Sequence, residues 1–185
     1  MALRIHGNRP LKTLPGLDTR PTLARVRQAL FNIWQGEIEG CRWLDLCAGS
    51  GAMGAEALCR GAAQVTGIEQ SGAACRVVQQ NWQQMADAEQ QFRVIRGDVV
   101  NKLPGLAGQQ FDRIYFDPPY AGGLYEPVLA AIAHHHLLSP AGELAAEHSP
   151  NQTLPDAIGG LTIIRRKVYG NTALTFYQTD SQTCP

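Results

Sequence analysis

The stretch WLDLCAGSGAMGAEAL, residues 43–58, decides the fold of this chain. A short apolar run leads into a glycine-rich turn and then into small, helix-favouring residues. Glycine 61 stops that helix, and the alternating run QVTGIE, residues 64–69, reads as a second strand. Strand, turn, helix and strand within so few residues make a βαβ unit, which requires two parallel strands. Gly49-Ser50-Gly51-Ala52-Met53-Gly54 also spells G-x-G-x-x-G, and Glu69 lies twenty positions after Gly49. A dinucleotide site shows that spacing. The glycines alone do not choose the ligand, because S-adenosylmethionine enzymes use a similar turn.

Working outward, the alternation continues. Residues 72–88 carry Val78, Trp82 and Met85 on one helical stripe. FRVIRGD, FDRIYFD and GELAAEHS read as further strands, with a helix over 124–137 between the last two. LTIIRRKVYG and TALTFYQ form a terminal antiparallel pair turning at Gly170-Asn171. The expectation is a Rossmann-like α/β fold: a mostly parallel seven-stranded sheet, helices on both faces, and a terminal hairpin. Upstream, residues 3–19 are broken by Pro10, Pro15 and Gly16 and suit an extended arm or small hairpin. Thr22 is placed to cap a helix running to about Trp34, with Leu23, Val26, Leu30 and Ile33 on its apolar face. We divide the chain into a basic arm and helix, 1–36, that covers the site and faces its partner, and a core, 37–185.

The 185 residues fit one domain, and no apolar run is long enough to cross a bilayer. The amino terminus lacks the apolar segment of a secretory signal, which makes a cytoplasmic protein the expectation. Five cysteines without a C-x-x-C pair support neither a zinc site nor a disulfide framework. His134-His135-His136 reads as a polar helix end, since consecutive helical residues point apart, and no metal is expected. Net charge is zero, but residues 1–27 hold six Lys/Arg against the single acid Asp18, while the remainder has ten basic and fifteen acidic residues. That asymmetry suits an arm facing nucleic acid. Arg165-Arg166-Lys167 reads as an exposed hairpin edge, with contact to RNA as the alternative.

Three features separate the two ligands. Asp45 ends the first strand four residues before Gly49; it would oppose a pyrophosphate, whereas a methionine amino group welcomes a carboxylate. Glu69 and Asp98 end the next two strands, placing acids in the crevice where such sheets bind ligands, on ribose hydroxyls and an adenine edge. The deciding feature is FDPPY, residues 116–120. Two prolines cannot continue a central strand, so they make a rigid turn with fixed carbonyls. Asp117 and the Pro118 carbonyl can then accept two N–H bonds from an amino-bearing ring that stacks on Tyr120. The cofactor read from this set is S-adenosylmethionine.

LDLCAGSGAMGAEALCRGA and DPPY resemble class I S-adenosylmethionine methyltransferases acting on exocyclic amines. With RPTLARVRQALFN, residues 20–32, LRIHG and KVYG, the chain resembles the RsmD-type guanine-N2 methyltransferases of bacterial small-subunit (16S) ribosomal RNA. The resemblance implies catalysis by Asp117, Pro118, Pro119 and Tyr120. It implies S-adenosylmethionine held by Asp45, Ala48, Gly49, Ser50, Gly51, Glu69, Gln70, Asp98 and Val99, with Arg20 and Thr22 from the R-P-T segment. It assigns ribosomal RNA, free or within the small subunit, to Arg4, Arg9, Lys12, Arg25 and Arg27 of a monomer. The chain departs from the family pattern at Ala24, where an acid usually precedes the arginine, and at Cys47, where phenylalanine is usual. DPPY also permits an adenine-N6 methyltransferase on RNA or DNA. A non-catalytic RNA-binding module would keep the fold without needing Asp117, and a dinucleotide oxidoreductase leaves DPPY unexplained.

Overall fold

Strand order positions everything else. The computed structural model describes residues 3–14, 21–119 and 123–180, and their side chains except those of 21–23. Its central strands are β3 (Arg42–Leu46), β4 (Gln64–Glu69), β5 (Gln91–Arg96), β6 (Phe111–Phe116) and β7 (Leu138–His148). They pair in parallel as β5-β4-β3-β6-β7, so the order reverses beside β3. A crevice opens at such a reversal, beyond the carboxyl ends of the strands. The sheet continues antiparallel through β10 (Thr172–Thr179), β9 (Leu161–Tyr169) and β8 (Ala157–Ile158). Among the described residues it thus has eight strands where the sequence pattern gives seven. The extra one is two residues long and lies between Pro155 and Gly159, too short to show a period. Strand β7 begins four residues before the expected 142, carrying Pro140 past a register shift opposite β6.

Helices α2 (Ala52–Cys59) and α3 (Gly72–Met85) cover one face, together with α1 (Pro21–Ile33). The one-turn α4 (Val99–Lys102), which the sequence pattern does not show, and α5 (Tyr125–His134) cover the other. On α1 the expected stripe is present at Val26 and Leu30, and the helix is fixed by larger rings beside it. Phe31 stacks on Trp43 at 5.3 Å, and Trp34 meets Trp43 and Phe176 edge-on at 5.5 and 5.9 Å. Each such pair contributes about 0.5–1.5 kcal/mol beyond its buried area. Trp82 of α3 anchors α2 in the same way, from beneath. Its ring occupies the space a Cβ would need at Gly54 and Gly67, 2.3 and 2.5 Å away, so any larger residue there would push α3 off the sheet.

The arm is a hairpin. Strands β1 (Leu3–Ile5) and β2 (Arg9–Leu11) pair antiparallel around His6–Asn8, and Leu3, Ile5 and Leu11 join the core beneath α1 and α2. Asn81 of α3 ties it down: its amide accepts from the Lys12 N–H and donates to the Lys12 carbonyl, both at 3.0 Å, and donates to the Ser50 carbonyl at 2.9 Å. One buried side chain thereby links the arm to the glycine turn. Among the described residues no helix is long and apolar enough to cross a membrane.

Candidate active site

A cavity of about 660 Å³ lies in the crevice. That is the size of a small-molecule or cofactor site. Its walls come from the ends of β3, β4, β6 and β7, from the turns that follow β3, β4, β5 and β6, and from the amino-terminal hairpin and α1 through Leu3 and Arg27.

The first turn is shaped by backbone conformation. Gly49 has φ +57, and a Cβ there would meet no atom of the described residues within 4 Å, so its open side faces the cavity it lines. Ala48 and Ser50 line the cavity beside it. Gly51 (φ +72), expected at the cofactor, is placed differently: a Cβ would lie 2.8 Å from the Trp82 Nε1, and that indole donates to the Gly51 carbonyl at 2.8 Å. Its small size serves packing behind the turn. Cys47 carries φ +62, a left-handed conformation uncommon outside glycine. It turns the chain out of β3, and burial pushes its thiol up to about 12, so it stays neutral.

Glu69 holds this turn to the next strand. One carboxylate oxygen accepts from the Gly49 N–H and the other from the Ser71 N–H, each at 2.8 Å. Each oxygen keeps a second lone pair, so the carboxylate can still accept two hydroxyl donors from a ligand. Gln70 lines the cavity beside it. Asp98 caps α4 by accepting from the Asn101 N–H at 3.0 Å through Oδ1, and it lines the cavity with Val99. Capping leaves the side chain at the cavity wall.

The floor is acidic. Asp45 is buried, accepts from the Gly54 N–H at 2.9 Å, and is pushed up to about 8, first by burial and then by Glu69. Asp117 follows β6; its carboxyl is held well above the ordinary range by desolvation and by the nearby charges of Glu147 and Asp45. Pro118 and Pro119 line the same wall. Tyr120 and Arg20 lie outside the described residues; Thr22, expected to cap α1, instead lies within its first turn, because the helix begins at Pro21, and its side chain is outside the described ones.

One residue that sequence reasoning missed completes the floor. Glu147, near the end of β7, is 2% exposed and accepts a hydrogen bond from the Tyr115 hydroxyl. The only signal for it was one acid in the apolar run LAAEH. Of the bases expected to meet RNA, Arg4, Arg9, Lys12 and Arg25 are exposed. Arg27 is not. It is buried, its Nε lies 3.3 Å from Glu56 Oε2, and its Nη2 donates to the Arg4 carbonyl at 2.6 Å. The same Glu56 oxygen accepts from the His6 N–H at 3.0 Å. Arg27 therefore fastens the hairpin to α2 and lines the cavity, so the expectation that it contacts RNA is corrected.

Comparison with known proteins adds to this geometry. A family described as conserved hypothetical protein 95 matches residues 3–178. The chain is 32% identical over 173 residues to the ribosomal RNA small subunit methyltransferase D of Escherichia coli (strain K12), covering 94% of this chain and 85% of that protein. The solved structure of the Escherichia coli protein yhhF superposes with TM-score 0.82 at 31% identity, covering 98% of this chain and all of that one. A more distant structure, SMU.776, solved in complex with SAH, shares the fold at TM-score 0.65 and 18% identity, with 87% of this chain matching 50% of that one.

Proposed function

Because this chain belongs to the RsmD family of small-subunit ribosomal RNA methyltransferases, we propose that it moves a methyl group from S-adenosylmethionine to the exocyclic N2 amine of a guanine in that RNA. The observation that carries the reading is the meeting of Asp117 and Pro118 with the glycine turn and Glu69 around one cavity. The residues fit the cofactor. Gly49 leaves room for a close backbone approach, Glu69 retains acceptors for a ribose, and Asp45 offers a buried carboxyl to an amino group.

When bound, S-adenosylmethionine supplies a methyl already activated by its sulfonium. The protein's part is alignment and charge. A guanine amine is a weak nucleophile because its lone pair is spread into the ring. Asp117 and the Pro118 carbonyl accept its two N–H bonds and favour a localised lone pair. As nitrogen gains positive charge, the Asp117 carboxylate stabilises it. The nitrogen then sheds a proton, and an Asp117 oxygen with raised proton affinity is placed to receive it. Tyr120 would stack on the target base once it is turned out of the RNA. The exposed bases of the arm would hold the phosphates, and the protein would act on the ribosome's RNA in the cytoplasm.

The test is direct. Small-subunit RNA from cells lacking the gene, incubated with the protein and labelled S-adenosylmethionine, is digested to nucleosides. Label in N2-methylguanosine is expected. Label confined to N6-methyladenosine, or no label with bare RNA and with small subunits alike, would overturn the reading.

A further inference from the structure

The catalytic aspartate has a neighbour that the methyl-transfer scheme leaves unused. Strands β6 and β7 run parallel in register, with Phe116 opposite Ala146, so Asp117 and Glu147 follow side by side on adjacent strands. Both line the cavity, and they are close enough for the charge of Glu147 to act on Asp117. Glu147 is also held firmly. The Tyr115 hydroxyl donates to Oε2, and the Tyr125 hydroxyl donates to its backbone carbonyl at 3.0 Å. No described protein group bonds to the remaining oxygen, Oε1. Arg27, a buried cation that lines the same cavity, is engaged with Glu56.

A buried carboxylate that lines a cavity with one oxygen anchored and the other unbonded needs a donor from a ligand. We propose, resting on the guanine-N2 reading above, that Glu147 accepts the N1–H of the target guanine and so selects guanine over adenine. The donor pattern of the base fits the two acids. Guanine's Watson–Crick edge offers its N2 amine and, one ring position away, the N1–H. With Asp117 and Pro118 on the amine, the adjacent donor falls to the adjacent strand. Adenine presents a lone pair at N1, which would face the carboxylate and be repelled. Tyr115 makes this selection rigid: its own ionisation is strongly suppressed by burial and by Glu147, so the hydroxyl remains a donor and fixes the carboxylate.

The experiment changes the base and the residue together. Once the methylated guanine is mapped with the wild-type protein, RNA is prepared with 2-aminopurine at that position. This base keeps the N2 amine but has a lone pair at N1. Wild type is expected to disfavour it by roughly 100-fold in kcat/KM, the loss of one charge-assisted hydrogen bond with a repulsion added. Glu147→Gln, which keeps size and can donate to N1, is expected to slow on guanine and to bring the two bases within several-fold. Comparing the ratios cancels the intrinsic reactivity of the two amines. SAH affinity, measured by calorimetry, should be unchanged in the variant. The same ratio in both proteins would overturn the inference, as would a loss of SAH affinity with the ratio preserved, which would place Glu147 at the cofactor. Absence of guanine methylation by wild type would instead remove the guanine reading, and this inference with it.

Discussion

The strand ends and the amino-terminal hairpin hold their charges in opposite ways. At the strand ends Asp45, Asp117 and Glu147 are withdrawn into the cavity, and burial raises the proton affinity of all three. On the hairpin Arg4, Arg9 and Lys12 stand exposed and use the tips of their side chains on neighbouring carbonyls and amides. Buried acids are costly until a ligand answers them, so each should matter singly. Exposed bases cost little and bind polyanions by number, so each should matter by increments. Arg27 crosses this division: its sequence position is in the arm, but it is buried like the acids.

Arg27 therefore gives the harshest way to break the comparison. Removing it leaves Glu56 with only Arg60 and the His6 N–H, and leaves the Arg4 carbonyl without its donor. Loss of one partner from a buried pair costs about 3–5 kcal/mol. Arg27→Ala is expected to lower the urea midpoint accordingly, whereas Arg9→Ala should stay within about 0.5 kcal/mol. Equal, small effects from both would return Arg27 to the company of the exposed bases.

Next is Asp117. Asp117→Ala should slow single-turnover methylation by about 10²–10³-fold, the scale of losing one preorganised electrostatic partner. SAH affinity should hold near wild type, because the proposed partner of Asp117 is the amine. Asp117→Asn should retain part of the rate, since its amide oxygen still accepts one N–H bond. A normal rate in Asp117→Ala would show that the acidic floor is not where chemistry occurs.

The contrast between the two regions also explains what could be read from the sequence. The βαβ unit was legible because its turn needs glycine and its strands need apolar runs; β3 and β4 lie where RWLDL and QVTGIE placed them. The cavity acids that end strands beside glycines or prolines were legible for the same reason. Glu147 was not, because nothing local marks it: it becomes part of the site only through parallel pairing with β6, some thirty residues earlier. Arg27 misled because charge counts along the chain carry no burial. Gly51 misled because its spacing suits a ligand turn equally well as a helix pressed against Trp82.

A smaller effect should appear in the pH dependence of stability. Asp45 has a folded-state pKa of about 8, above the unfolded carboxylate value, so the folded protein binds the extra proton. Its favourable contribution is present below about pH 4 and is lost as pH rises toward 8. Asp117 and Glu147 shift in the same direction. Without cofactor, Tm should therefore fall between pH 5 and pH 8, and Asp45→Asn should flatten part of that slope while keeping an acceptor for the Gly54 N–H. A variant that tracks wild type across this range would mean Asp45 is already ionised in the empty cavity.

The mildest test concerns the hairpin itself. Reversing Arg9 and Lys12 to Glu changes side chains whose tips reach only exposed or partly exposed partners, while the backbone of Lys12 stays clamped by Asn81. The fold and the cavity should survive, and SAH should bind as before. RNA affinity should fall, and more at low salt than at high salt. Each phosphate contact contributes about 0.7–0.9 to the slope of log affinity against log salt. Loss of two should therefore reduce that slope by about 1.4–1.8. The slope is the informative quantity, because a general loosening of the hairpin would weaken binding at every salt concentration without changing it. An unaltered slope would mean the exposed bases only cover the core, and the comparison between acidic floor and basic arm would then describe stability alone.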